Sequence, residues 1–304
     1  MTARLLNDLT ELIARHTAHD GIHATAVPRV GLVRGSAPTL PMPVVYEPTL
    51  CLIAQGRKRV VLGSTAYVYD AATYLTASVD LPVTGSVIEA SAERPYLCFV
   101  LNLDVAQLGE LAVRHPSTEA DEDTVPNGIA LNATTPALLD AAVRLVRLLD
   151  SPHDIAELAP LIEREILYRL LTGPGNQLVR QMSQARSRLN QIARAIVWIR
   201  THYAEEWRID DLAAVAGMSR SSFHAHFKAV TSMSPLEFRT SLRLQEARRK
   251  MVAEALDAAS AGFQVGYQSP SQFSRDYGRA FGLPPARDAQ RLRELAAGGV
   301  RPGH

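Results

Sequence analysis

The sequence is poor in cysteine and aromatics and, over one long stretch, has no histidine at all. Two cysteines in 304 residues, Cys51 and Cys98, supply neither a disulfide framework nor the four closely spaced ligands of a structural zinc site. No apolar run approaches the ~18–20 residues that cross a bilayer. The amino end, MTARLLNDLTELIARH, is charged and amphipathic, with no signal-peptide core or small-residue cleavage site. A soluble, cytoplasmic chain with no membrane contact is expected. Between Ala24 and Arg114 there is no histidine, so the imidazoles that usually hold a catalytic metal are missing there. His16, His19 and His23 do gather in HTAHDGIH. Asp20-Gly21 breaks the helix that would align them, and solvated histidines are expected. GSTAY and TGPGN lack the Walker pattern of a phosphate loop. The chain is therefore expected to be no enzyme and to hold no metal or cofactor.

What is present is organised in two halves. A length of 304 residues suits two domains, and 47% apolar content supports real cores. The net charge of +1 hides an asymmetry: residues 181–304 carry 18 Lys and Arg against 11 Asp and Glu, and residues 1–180 carry 14 against 20. A basic half beside an acidic one points to polyanion binding by the former. The stretch TGPGNQ, starting at Thr172, ends a helical run and opens a linker. The expected division is a domain over 1–172, a linker over 173–189 and a second domain over 190–298.

Leu5, Leu6, Leu9, Leu12 and Ile13 recur at helical spacing, so the chain opens on an amphipathic helix. From about Ala24 to Asp104 follow short β-branched and aromatic runs cut by Gly, Pro and Asp, the texture of a small barrel or sandwich. Helical periodicity returns over about 104–172. Leu138, Ala142, Leu145 and Leu149 form one apolar stripe, and Leu158, Leu161, Ile162 and Leu170 contribute to another. These helices either pack back on the strands or form a dimer seam.

The second half contains an internal echo. In IDDLAAVAGMSRSSFHAHF, Gly217 stands where a helix turns, Ser219 where the next helix is capped, and Phe223 and Phe227 lie four apart on one face. Gly266, Ser269, Phe273 and Tyr277 repeat the pattern, and Phe223 to Phe273 and Pro235 to Pro285 are both 50 residues apart. Each is a helix-turn-helix unit, over about 209–230 and 258–282, joined by a helix over about 235–256.

At these residues the second half resembles the AraC/XylS-type DNA-binding domain. The markers are GMS from Gly217, RLQEAR from Arg243 and GYQSPSQFSRDYGRAFGLPP from Gly266. YEPTLCLIAQGRKRVVLG from Tyr46, YLTASVDLPVTG from Tyr74 and RPYLCFVLNLD from Arg94 are similar to the cupin-like amino-terminal domain of one AraC-type subgroup. The resemblance implies an α+β two-domain fold: a cupin-like β-barrel with flanking helices for effector binding and dimerisation, then an all-α double helix-turn-helix domain. It also implies a homodimer on double-stranded promoter DNA, an unidentified small-molecule effector, and RNA polymerase as a candidate partner.

Matched to the family motif, Arg220, Ser221, His224 and Ala225 face the groove in the first unit, and Pro270, Ser271, Ser274 and Arg275 in the second. Arg275 is suited to reading guanine O6 and N7 with both arms of its guanidinium; Ser222 and Gln272 are suited to phosphates. For the effector, Tyr46, Cys51, Tyr67, Tyr69 and Cys98 are the candidates, since pockets are mostly apolar with a few polar handles. Three readings follow: a ligand-responsive regulator, a regulator that senses electrophiles or oxidants through Cys51 and Cys98, and a constitutive DNA-architectural protein. The last leaves about 170 residues without a role.

Overall fold

The computed structural model describes residues 2–116 and 125–298. Helix α1 (Thr2–Arg15) buries the predicted stripe through Leu9, Leu12 and Ile13. Nine strands follow: β1 (Gly21–Ala24), β2 (Val30–Gly35), β3 (Met42–Tyr46), β4 (Thr49–Gln55), β5 (Arg57–Leu62), β6 (Thr65–Asp70), β7 (Thr73–Ala77), β8 (Leu81–Glu89) and β9 (Tyr96–Asn102). After α2 (Val105–Arg114), a further strand, β10 (Ile129–Ala133), precedes α3 (Pro136–Arg147) and α4 (Ile155–Thr172).

The expected barrel takes the form of two antiparallel sheets, neither closed on itself. One runs β1-β2-β9-β4-β7-β10 and the other β3-β8-β5-β6. The chain changes sheet at Gly56, whose φ of 85° suits glycine. Register shifts flank it, at Ile53/Gln55 on one side and Arg57/Lys58 on the other. Bulges of this kind turn corners between sheets. β4 is buried along nearly its whole length, because α1 covers one of its faces and the four-stranded sheet the other.

The helical stripes separate. Leu138, Ala142 and Leu145 of α3 are buried against α1 and α4. On α4, Leu158 and Leu161 remain 42% and 64% exposed, whereas Leu170 is buried.

The rest is helical: α5 (Gln177–Ser183), α6 (Arg188–His202), α7 (Ile209–Ala216), α8 (Arg220–Thr231), α9 (Pro235–Ala253), α10 (Ala258–Gln264), α11 (Pro270–Phe281) and α12 (Pro285–Gly298). α5 and the first two residues of α6 thus fall within 173–189. Gly217 caps α7 at φ 67°, and the Ser219 and Ser269 hydroxyls accept from the amides of Ser222 and Gln272 to open α8 and α11. Ser234 and Glu237 form a reciprocal box at the start of α9.

Two hydrophobic cores result. One runs without a break from the sheets through α3–α6 into the first helix-turn-helix, including Phe223, Phe227, Val230 and Phe238. The other, around Met251, Phe273 and Tyr277, belongs to the second unit.

The two halves meet at a defined seam. The Gly128 amide donates to the Val230 carbonyl at 2.8 Å, and Asn127 Nδ2 to the Ser232 hydroxyl at 3.1 Å. Arg200 of α6 pairs with Asp80, and a Cβ at Gly63, in the β5–β6 turn, would stand 2.5 Å from the Ser232 carbonyl oxygen.

Candidate functional site

The first site is built on α8 and α11. Each buries an aromatic pair four residues apart, Phe223 with Phe227 and Phe273 with Tyr277, and so presents its opposite face outward. Arg220, Ser221 and Ala225 are exposed on α8, with Ser222 and His224 partly so; on α11, Pro270, Ser271, Gln272, Ser274 and Arg275 are all exposed.

Their partners differ. Arg220 lies 3.8 Å from Asp210, and the Ser219 and Ser221 hydroxyls meet at 3.3 Å. Arg275 has no hydrogen bond or ion pair among the described residues. Its fork of donors is free for an incoming acceptor. On α8, burial and then Arg188 push His226 below the ordinary histidine value.

α9 holds the two units in place. Phe227 meets Phe238 of α9 edge to face, with centroids 5.4 Å apart. In the second unit the Tyr277 hydroxyl donates to Asp288 at 2.8 Å, and Arg248 of α9 grips the same carboxylate with Nε and Nη2 at 2.7 and 3.1 Å. Arg243 of α9 donates to the Tyr203 carbonyl at 2.6 Å. Each recognition helix is therefore anchored to one common rod.

The second site lies between the sheets. Thr49, Cys51, Lys58, Tyr46, Tyr69, Tyr96 and Cys98 converge there. The register explains the convergence: Lys58 stands opposite Tyr69, and Cys51 opposite Val100, with Cys98 two residues along the same face. Gly85 makes room, since a Cβ there would lie 3.3 Å from Lys58 Cε. The Lys58 ammonium rests 5.4 Å from the centre of the Tyr46 ring.

Charge is tightly balanced in this cluster. Burial works against the Lys58 ammonium, but Tyr46, Cys51 and Cys98 outweigh it and leave Lys58 above the ordinary lysine value. Hydrogen bonding with Cys98, opposed by burial and aided by Lys58, holds Cys51 below the ordinary thiol value. Cys98 goes the other way, pushed well up by Cys51 and by burial. Its Sγ lies 3.4 Å from the Phe99 carbonyl, to which it donates. The hydroxyls of Tyr46, Tyr69 and Tyr96 are buried with no hydrogen-bond partner of ordinary geometry.

Of the five effector candidates read from the sequence, Tyr46, Cys51, Tyr69 and Cys98 meet here. Tyr67 does not: it is half-buried beside Asn127 at the seam between the halves. Tyr96, also among the tyrosines read from the sequence as pocket handles, belongs to the cluster, as does Lys58, which was not a candidate. The available signal was alternation, because Lys58, Val60 and Leu62 share one face of β5. Among the described residues no three His, Cys, Asp or Glu side chains gather as a metal site, and no helix is long and apolar enough to cross a membrane.

A family model described as the AraC-type transcriptional regulator N-terminus matches residues 26–178, half of the chain, and one described as a helix-turn-helix domain matches residues 212–291. Among curated proteins, the RCS-specific HTH-type transcriptional activator RclR of Escherichia coli K12 is 39% identical over 90 residues, 30% of this chain and 32% of that protein. The HTH-type transcriptional regulator ExsA of Pseudomonas aeruginosa is 29% identical over 180 residues, 59% of this chain and 63% of that protein. The chain thus spans less than two thirds of the length of either relative. Among solved structures, ToxT from Vibrio cholerae O395, bound to (E)-4-(8-methylnaphthalen-1-yl)but-3-enoic acid, shares the fold at a TM-score of 0.55 and 10% identity, over 86% of this chain and 99% of that one.

Proposed function

We propose, on the premise that this chain belongs to the family of AraC-type transcriptional regulators, that it is a ligand-responsive regulator that reads promoter DNA through two helix-turn-helix units. The observation that carries this reading is the pair of exposed recognition faces on α8 and α11, both fixed to α9. Such units place their second helices in successive major grooves, about 34 Å apart along the duplex. In this reading Arg220, Ser221, His224, Ala225, Pro270, Ser271, Ser274 and Arg275 face bases. Ser222 and Gln272 hold phosphates, and Arg275 is the strongest base reader because its guanidinium is unengaged.

The amino-terminal half senses a small molecule. The ligand acts by binding one arrangement of the two halves more tightly than the other, a coupling of about 1–3 kcal/mol. The small acid bound to ToxT, a protein of the same fold, supports a small-molecule role. Exposed Leu158 and Leu161 on α4 supply an apolar face for a homodimer, which puts four reading helices on one promoter. The protein then works in the cytoplasm, with RNA polymerase as its partner at activated promoters.

The test is selection of genomic fragments by the purified protein at near-physiological salt, with Arg275→Ala as control. Discrete sites of about two helical turns, lost in the variant, are expected. Diffuse, salt-sensitive binding unchanged by the substitution would overturn the reading of Arg275. Sedimentation with and without DNA checks the dimer.

A further inference from the structure

The cluster between the sheets is unlike the rest of the core. A cation drawn toward a core is normally paired with a carboxylate, yet half-buried Lys58 has no ion pair among the described residues. The acidic groups facing it are the Cys51 and Cys98 thiols and the Tyr46 phenol. Three tyrosine hydroxyls, on residues no more than 9% exposed, lie about Lys58, Cys51 and Cys98 with no hydrogen bond of ordinary geometry. A sulfur, a cation and several O–H groups beside them are the components needed to add a thiol to a carbonyl compound and hold the oxygen that becomes negative.

We propose that Cys51 captures a small α,β-unsaturated carbonyl compound between the two sheets, with Lys58 and the Tyr69 hydroxyl holding the oxygen of the adduct. The thiolate form of Cys51 forms a C–S bond at the β-carbon. The π pair of the C=C bond shifts through the carbonyl to leave an enolate oxygen beside Lys58. The proton that Lys58 took from the Cys51 thiol passes to the α-carbon, which returns Lys58 to the free amine. The net change is addition of one S–H across one C=C bond; nothing is oxidised or reduced.

Two features narrow the ligand class. The acidic groups about Lys58 are two thiols and a phenol, which favours a neutral electrophile over an anionic ligand. Tight packing around Cys51 and Cys98, 3% and 2% exposed, favours a small one. Cys98 keeps its proton, shared between the Phe99 carbonyl and Cys51, so one sulfur is the nucleophile.

The location also connects to the DNA-reading half. Cys51 on β4 stands beside Leu75 on β7, and Leu75 beside Leu131 on β10. Just before β10 come Asn127 and Gly128, which bond to Ser232 and Val230 at the end of α8. The capture deepens the effector-sensing part of the regulator reading and rests on that reading for its consequence at DNA.

Crotonaldehyde is the probe, added to the native full chain and followed by intact mass and peptide mapping. One adduct on Cys51 is expected, lost in Cys51→Ser and retained in Cys98→Ser. Lys58→Met is expected to slow addition at least tenfold, and to slow it more at lower pH than at higher pH. Tyr69→Phe, which keeps the packing, is expected to slow it severalfold and covers the case of a Lys58→Met chain that does not fold. Labelling only after denaturation, labelling on Cys98, or rates unchanged in both the Lys58 and Tyr69 variants would overturn the proposal. Fragment selection by untreated protein judges the regulator reading separately: discrete sites without native labelling sink the capture alone. Native labelling with the selected fragments changed or released by crotonaldehyde supports both.

Discussion

Ser232 and Gly282 occupy equivalent places 50 residues apart, each ending a recognition helix in the left-handed conformation, at φ 57° and 75°. Glycine suits that conformation and serine does not. At Ser232 the side chain has another task, since its hydroxyl accepts from Asn127 across the seam. Replacing it by glycine exchanges backbone strain for a lost inter-half hydrogen bond.

Ser232→Gly is therefore expected to leave global stability within about 1 kcal/mol of the parent, the two effects being similar in size. It should nevertheless speed hydrogen exchange of the Gly128 amide. Unchanged exchange at Gly128, read by mass spectrometry of its peptide, would show that the seam is held elsewhere.

Arg275→Ala should weaken binding to a selected site by about 1–3 kcal/mol and relax discrimination at a single base pair. Competition titrations with each of the four base pairs at that position measure it. An equal loss on every sequence would assign Arg275 to a phosphate.

Phe273→Ala removes the centre of the smaller core, a change that costs about 3–5 kcal/mol when the ring is fully buried. Trp198 and Trp207 pack against the other core, so their fluorescence transition should stay in place while DNA binding fails. A tryptophan transition lowered along with binding would mean that the cores unfold as one.

Asp104 offers a test by pH. The Gln107 amide, opposed by burial and helped by Arg29, holds its carboxyl below the ordinary aspartate value. A depressed folded value gives stability that is present above the unfolded pKa of about 3.9 and lost as pH falls through the folded one. Asp104→Asn keeps the helix cap and removes the charge. It should cost about 1 kcal/mol at neutral pH, with the two stability curves converging in acid.

The helix-turn-helix units were legible because their signals are local: Gly217 and Ser219 mark a turn and a cap within a few residues, and the aromatic pair marks the buried face. The sensor half was harder. RKRVVL reads as a strand, yet three consecutive basic residues do not say which turns inward; Lys58 does so where β5 leaves a bulge in that register and Gly85, in another strand, clears its path. Tyr67 and Tyr69 look alike in sequence, yet one reaches the seam and the other the inter-sheet cluster. The stripes on α3 and α4 are equally leucine-rich, and tertiary packing alone decides which is covered. Strand pairing across two sheets and contacts over more than 100 residues, as between Asn127 and Ser232, leave no mark at short range.

The unbroken core from the sheets into α8 also bears on how the chain tolerates dissection. A cut near Gly173 looks safe, because glycine and proline mark it as a joint. Such a cut would strip Leu178, Val179, Met182 and the first recognition helix from the apolar surface they share with the sensor half. The severed carboxy-terminal piece would carry one unit with an opened flank and one intact. Grafting this sensor onto a foreign reader therefore means carrying the first helix-turn-helix with it, and the natural place to exchange parts lies inside α9.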